Sequence, residues 1–150
     1  MRSMKAARAI LPSVVLFLGG CAVGPRYRVD EERESLRLVE IATTHLRAGK
    51  LDEARASFEV ARELYPTAAA TDGLGCVAFA EGDLDRAEEL FAEAYEMDRT
   101  YDNPLANLAL VYEARGMERR AEELYREAIA AEPSNARARN NYAAFLESRG

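Results

Sequence analysis

Tryptophan is absent from this 150-residue chain, histidine occurs once and cysteine twice. A single imidazole, His45, excludes an HExxH zinc site, and Cys21 and Cys76 are too far apart in sequence for paired-cysteine metal spacing. No GxSxG elbow and no Walker-type phosphate loop occurs either. Carboxylates are numerous but fall on polar helix faces, so no catalytic pair stands out. The chain therefore reads as non-enzymatic, with no cofactor, no bound metal and no small-molecule substrate. Long β-branched runs are also missing. Glutamate, alanine, leucine and arginine dominate instead, which favours an all-α fold.

Hydrophobic residues make up 49% and charged residues 31% of the chain, ordinary values for one domain able to bury a core. The net charge is −6. Arg2, Lys5 and Arg8 are unopposed in the first twenty positions, and the remainder carries 17 bases against 26 acids. Polyanion binding needs a concentrated basic patch, and none is present, so a nucleic-acid partner is not expected.

What the chain does have is one pattern written three times between Ser35 and Asn135, with a fourth copy begun. Ala54, Ala87 and Ala121 lie 33 and 34 residues apart. Each follows a glycine by five positions (Gly49, Gly82, Gly116) and precedes an aromatic by four (Phe58, Phe91, Tyr125). A further alanine lies three beyond each aromatic (Ala61, Ala94, Ala128). A small residue lies seven before each glycine: Ala42, Gly75, Ala109, and again Ala143 before Gly150. Self-similarity at this period marks stacked helical hairpins. Small residues let paired helices approach closely. The aromatic column fills the space between hairpins, with Ile41, Leu74, Leu108 and Tyr142 opposite. Glycine suits the left-handed turn that ends a helix.

These columns resemble the tetratricopeptide repeat. The resemblance implies an all-α solenoid of three repeats, about residues 35–67, 68–101 and 102–135, plus a capping helix over 136–150. Pro66 and Pro133 close the second helices of copies one and three, and copy two carries Arg99 there. Asn103-Pro104 restores the break, with Asn103 expected as N-cap and Pro104 at the first helical position. His45 shares the column of Tyr112 and reads as a ring filling a packing slot. In the last helix Tyr142, Ala143, Phe145 and Leu146 stay apolar, so it packs on the third hairpin. Arg139 breaks an apolar column, which suits a solvating cap; a docking edge for self-association is the alternative.

Residues 1–20 read as a targeting segment: a basic start, an apolar run from Ala9 to Leu18, then small residues. That run is shorter than the about 20 residues that span a bilayer. Leu18-Gly19-Gly20-Cys21 resembles the bacterial lipobox, so Cys21 is the expected lipidation site. Acyl chains there would anchor the protein durably. Ala22 after the cysteine resembles the preference for the outer membrane, facing the periplasm. Residues 21–30, with Gly24-Pro25, read as a tether of about 30 Å. Helix is expected from Glu31, with Asp30 as its N-cap.

In the family that the repeats resemble, the first helices of successive hairpins line a concave groove for a protein or peptide partner. Carried over by column, the groove comprises Leu36, Val39, Thr43, Leu46 and Arg47 from copy one. Asp72, Cys76, Phe79 and Ala80 follow from copy two, then Asn103, Ala106, Leu110 and Glu113 from copy three. Asn140, Ala144 and Glu147 extend the row on the cap. Mixed apolar character suits peptide or helix docking. The basic-and-asparagine clamp that some members use for a terminal carboxylate is not reproduced. Cys76 reads either as a small buried residue or as a reactive thiol. The expected role is a membrane-anchored envelope scaffold that assembles other proteins. Asn140 to Leu146 is similar to a segment of lipoproteins that serve type IV pilus secretins as pilotins, a narrower alternative; a self-associating structural module is another.

Overall fold

A computed structural model describes residues 24–101 and 103–150. Seven helices follow one another: α1 (Gly24–Arg47), α2 (Leu51–Leu64), α3 (Ala68–Glu81), α4 (Leu84–Met97), α5 (Asn103–Ala114), α6 (Glu118–Ala131) and α7 (Ala136–Glu147). Among the described residues there is no strand. The helices pair as α1 with α2, α3 with α4, and α5 with α6, and each second helix then packs on the first helix of the next pair. The first helices also touch in series, α1 to α3 to α5 to α7, so they form one inner wall.

The turns inside the pairs are built alike. Gly49, Gly82 and Gly116 adopt φ of 71°, 82° and 71°, the left-handed region where a β-carbon would crowd the carbonyl that follows it. After each glycine the next amide closes back across the helix end: Lys50 N to His45 O at 2.9 Å, Asp83 N to Ala78 O at 2.9 Å and Met117 N to Tyr112 O at 2.8 Å. The entries to α3, α4 and α7 are capped by side chains. Thr67 Oγ1 accepts from Ala70 N, Asp83 Oδ1 from Arg86 N, and Asn135 Oδ1 from Ala138 N, at 3.1, 3.0 and 2.9 Å.

Between the second and third pairs no proline follows α4. Asp98 holds that turn instead, its Oδ1 accepting from the Thr100 backbone amide at 2.8 Å and the Thr100 hydroxyl at 2.6 Å. These bonds, the hydroxyl first, hold the Asp98 carboxyl below its usual range. Asn103 is not the N-cap expected of it: it lies within α5, and its amide donates to Tyr101 Oη at 3.0 Å.

The core follows the repeated columns. Ala54, Ala87, Ala121, Ala61, Ala94 and Ala128 are buried, as are Phe58, Phe91 and Tyr125. Leu74 and Leu108 are 6% and 8% exposed where each meets the preceding pair, whereas Ile41 of the same column is 47% exposed, with no hairpin before α1 among the described residues to cover it. At the other end, Tyr125 and Phe145 lie 5.7 Å apart between ring centroids, as do Tyr125 and Tyr142, which fixes α7 on α6. The inward placing expected for Ala143 and Leu146 is incorrect. Both are exposed, since the second helix that would cover that face is missing among the described residues.

α1 begins earlier than expected. Residues 24–30 are helical rather than an extended tether, and Asp30 lies inside α1 rather than capping it. α2 ends near Ser35, whose hydroxyl donates to Ala61 O at 2.9 Å and reaches Tyr65 O at 3.0 Å. Upstream of that point α1 projects beyond its partner by about 16 Å, at the ordinary helical rise. Cys21 and the targeting segment lie outside the described residues.

Candidate concave binding face

The inner wall presents the columns carried over from the repeat pattern, but unevenly. Val39, Thr43 and Leu46 on α1 are half-buried and Arg47 is exposed. Cys76 and Phe79 on α3, and Asn103, Leu110 and Glu113 on α5, are half-buried. Asn140 on α7 is exposed, together with Leu36, Ala80, Ala144 and Glu147. Ala106 departs from expectation. It is 0% exposed, packed into the core beside Ala109 and Ala138, and cannot touch a partner. Three repeats curve enough to bring α7 against α5, which closes the wall over that small side chain.

Six of the sixteen residues of the predicted row converge on one cavity of about 170 Å³. Val39, Thr43, Leu46, Arg47, Asp72 and Cys76 line it. Phe58, Ala69 and Gly73 complete its apolar walls, and Tyr101 and Arg137 enter from the loop before α5 and the first turn of α7. Phe79, Asn103, Leu110, Glu113 and Asn140 lie outside it. Glu113 is engaged elsewhere, accepting from Tyr125 Oη at 2.9 Å and so tying α5 to α6.

Asp72 is the polar centre of the wall. It is 4% exposed, accepting at Oδ1 from Asn107 Nδ2 at 2.7 Å and at Oδ2 from Tyr101 Oη at 3.3 Å. A buried carboxylate is tolerable only with such donors. Asn107 Nδ2 also lies 3.7 Å from Cys76 Sγ. Burial, then the Asp72 charge, pushes the Cys76 thiol up to about 12, although Arg137 opposes the shift. A thiol at that value stays protonated at neutral pH, so Cys76 acts as a small packing residue and not as a nucleophile. Burial also raises the Tyr101 hydroxyl, with Asp72 adding to the effect.

Sequence reasoning missed Asn107, Tyr101 and Arg137. Arg137 was within reach, because it occupies the column of Leu36 and Asn103, both assigned to the groove. Asn107 is a polar residue inside an otherwise apolar stretch of α5, a signal for a buried partner. Tyr101 lies in an inter-repeat loop, where columns give no orientation. His45 is half-buried at the end of α1, in the position that Tyr112 holds on α5.

Among the described residues no group of three His, Cys, Asp or Glu side chains could hold a metal ion, and no helix is long and apolar enough to cross a membrane. What the face offers is shape, a partly apolar lining and a few hydrogen-bonding groups, the means of binding.

Paired helices, left-handed glycine turns and a continuous inner wall define a helical-repeat solenoid. The chain belongs to the tetratricopeptide repeat family: profiles of that repeat match residues 39–104 and residues 78–144. Proteins of this family mediate protein–protein interaction, generally without catalysis. No curated protein matches the chain. Among solved structures it is similar to the Arabidopsis OM64 TPR domain, at 15% identity and a TM-score of 0.67 over 79% of this chain and 98% of that one. It also resembles the first TPR of Spaghetti (RPAP3) bound to the HSP90 peptide SRMEEVD, at 19% identity and a TM-score of 0.65 over 78% and 94%. MamA aligns at 23% identity and a TM-score of 0.62 over 85% and 74%. At these identities the likeness is one of fold.

Proposed function

We propose that this protein is a non-catalytic scaffold that binds a peptide or helix of another protein on its concave face, held to the bacterial envelope by a lipid on Cys21. The cavity among Val39, Leu46, Phe58 and Cys76 carries the binding half of this reading. It is an apolar recess on a wall otherwise open along its length, the arrangement that anchors one side chain of a docked segment. A structural neighbour that holds the peptide SRMEEVD is in keeping with it. The lipobox-like residues before Cys21 support the anchoring half. With α1 helical from Gly24, the projecting turns would act as a stalk rather than a loose tether.

Photocrosslinking in cells tests the binding half. A photoreactive residue at Thr43 or Leu46 should capture one dominant envelope protein, and equal capture from Glu93 on the outer surface of α4 would refute it. For the anchor, Cys21→Ala should abolish acyl labelling and release the protein from membranes; unchanged fractionation would refute it.

One observation favours a second reading. The uncovered face of α7, where Leu146 is 47% exposed, is the edge on which a solenoid would continue, so self-association is the alternative. Light scattering separates the two: a monomer supports the scaffold, and concentration-dependent oligomers support self-assembly. In the pilotin-like segment Phe145 is buried and Tyr142 half-buried against Tyr125, leaving Asn140, Ala143, Ala144 and Leu146 for a secretin to touch.

A further inference from the structure

The seam between the second and third hairpins holds a cavity of its own. Arg99 takes the place that Pro66 and Pro133 hold at the other two seams, and beside it lies a space of about 310 Å³, larger than the concave cavity. Tyr95, Tyr101, Leu105 and Ala128 form its apolar walls, and Arg99 and Glu132 supply its charges. Tyr101 is the one residue that this lining shares with the concave cavity. Its hydroxyl donates to Asp72 at 3.3 Å and accepts from Asn103 at 3.0 Å, so what it offers here is a ring.

The two charges differ in how they are answered. Arg99 Nη2 donates to both carboxylate oxygens of Glu96, at 3.0 and 2.8 Å, and its guanidinium stands over the Tyr95 ring at 5.5 Å. Glu132 is half-buried and accepts from the Ser134 hydroxyl and amide, but no cation pairs with it among the described residues. It also caps the end of α6, where the last carbonyls of the helix add partial negative charge. Tyr95, Glu96 and Arg99 show what satisfies such surroundings: a guanidinium held between a ring and a carboxylate. Tyr101 and Glu132 bring the same ring and carboxylate to the cavity without the guanidinium.

We propose that this cavity receives an arginine side chain of a partner protein, its stem along Leu105 and Ala128 and its guanidinium on Glu132, against the Tyr101 ring. Arginine suits the site better than lysine, because its planar, weakly hydrated head both stacks on a ring and forks onto a carboxylate. A free amino acid suits it less, since Arg99, the only cation in the lining, is already taken by Glu96 and leaves nothing to hold an α-carboxylate. This contact goes beyond the groove reading above: it lies across Tyr101 from the concave cavity and does not need a peptide on the inner wall.

The test is an amide NMR titration of the purified protein with Nα-acetylarginine N-methylamide, beside the same compound built on citrulline, its uncharged isostere. The arginine compound should saturate and move the amides of Tyr101, Leu105, Ala131 and Glu132, and the citrulline compound should bind about fivefold more weakly or worse. Glu132→Gln should lower the arginine affinity to the citrulline level. Because Glu132 also braces the turn at Ser134, a second variant is needed. Ala131→Phe fills the cavity from an exposed position and keeps every charge, so it should abolish the shifts while the melting temperature holds. Equal binding of the two compounds, or shifts spread over the acidic outer faces of α2 and α4 without saturation, would overturn the proposal. So would tighter binding of the blocked lysine compound, or of free arginine, which would make the ligand an amino acid instead of a protein segment. The concave face stands or falls separately, on the photocrosslinks from Thr43 and Leu46.

Discussion

Gly73 on α3 and Phe58 on α2 share one volume: a β-carbon built on Gly73 would lie 2.2 Å from the Phe58 ring. The ring fills the seam between the first two hairpins and also forms part of the cavity lining, so this contact links the stacking of the repeats to the binding face. Gly75 stands in the same relation to Phe91, at 2.6 Å.

Gly73→Ala is accordingly expected to destabilise the fold by about 1–3 kcal/mol, the cost of overpacking a closed seam. Urea denaturation measures it, and Phe58→Leu in the same chain should restore part of the loss. Gly49→Ala meets nothing within 4 Å and carries only the cost of its left-handed φ, about 1 kcal/mol. Equal midpoints for Gly73→Ala and the wild type would mean that the seam is not closed.

Asn107 donates to a carboxylate that is almost fully buried. Asn107→Ala removes that donor from Asp72 Oδ1 and should cost about 1–3 kcal/mol. Asn103→Ala removes only a bond to the half-buried Tyr101 hydroxyl and should cost less. The order of the two urea midpoints checks the assignment.

Much of this architecture is legible in the sequence because the repeat states it several times over. Alanine and aromatic columns fix which faces pack, and Gly49, Gly82 and Gly116 fix where the helices turn. Columns describe an interior repeat, however, and they fail at the ends. Ile41 and Ala143 belong to packing columns yet are exposed, since no neighbour among the described residues covers them. Ala106 belongs to a groove column yet is buried, because curvature depends on the sum of all the packing contacts. Gly24-Pro25 reads as a break, although proline in a first helical turn removes only an amide that has no partner there. Gly73 carries no family column, and only the position of the Phe58 ring gives it meaning.

Glu88 on α4 accepts from the Tyr112 hydroxyl and from Arg115, and these two, the hydroxyl first, hold its carboxyl below the usual 4.5. A depressed carboxyl stabilises the fold fully above its unfolded value and loses that contribution as pH falls through the folded one. Acid should therefore weaken the seam between α4 and α5 below about pH 4.5. Glu88→Gln is less stable at pH 7, and the gap to wild type should narrow as the pH drops. Thermal melts at pH 7, 5 and 3.5 test this, and a constant gap would contradict it.

The protonated state of Cys76 predicts slow chemistry. Its alkylation by iodoacetamide at pH 7.5 should be far slower in the native protein than in urea, because the thiol is pushed up to about 12 and half-buried. Cys76→Ala should fold normally. Native labelling as fast as that of the unfolded chain would reverse this view of the inner wall.

The most direct measurement is an amide nitrogen–proton NMR titration of the protein with a peptide selected on it from a random library. Binding on the concave face predicts shift changes centred on Val39, Leu46, Cys76 and Arg137, with the outer residues Glu59 and Glu93 unmoved. Changes centred on α2 and α4, with the inner wall silent, would contradict the account.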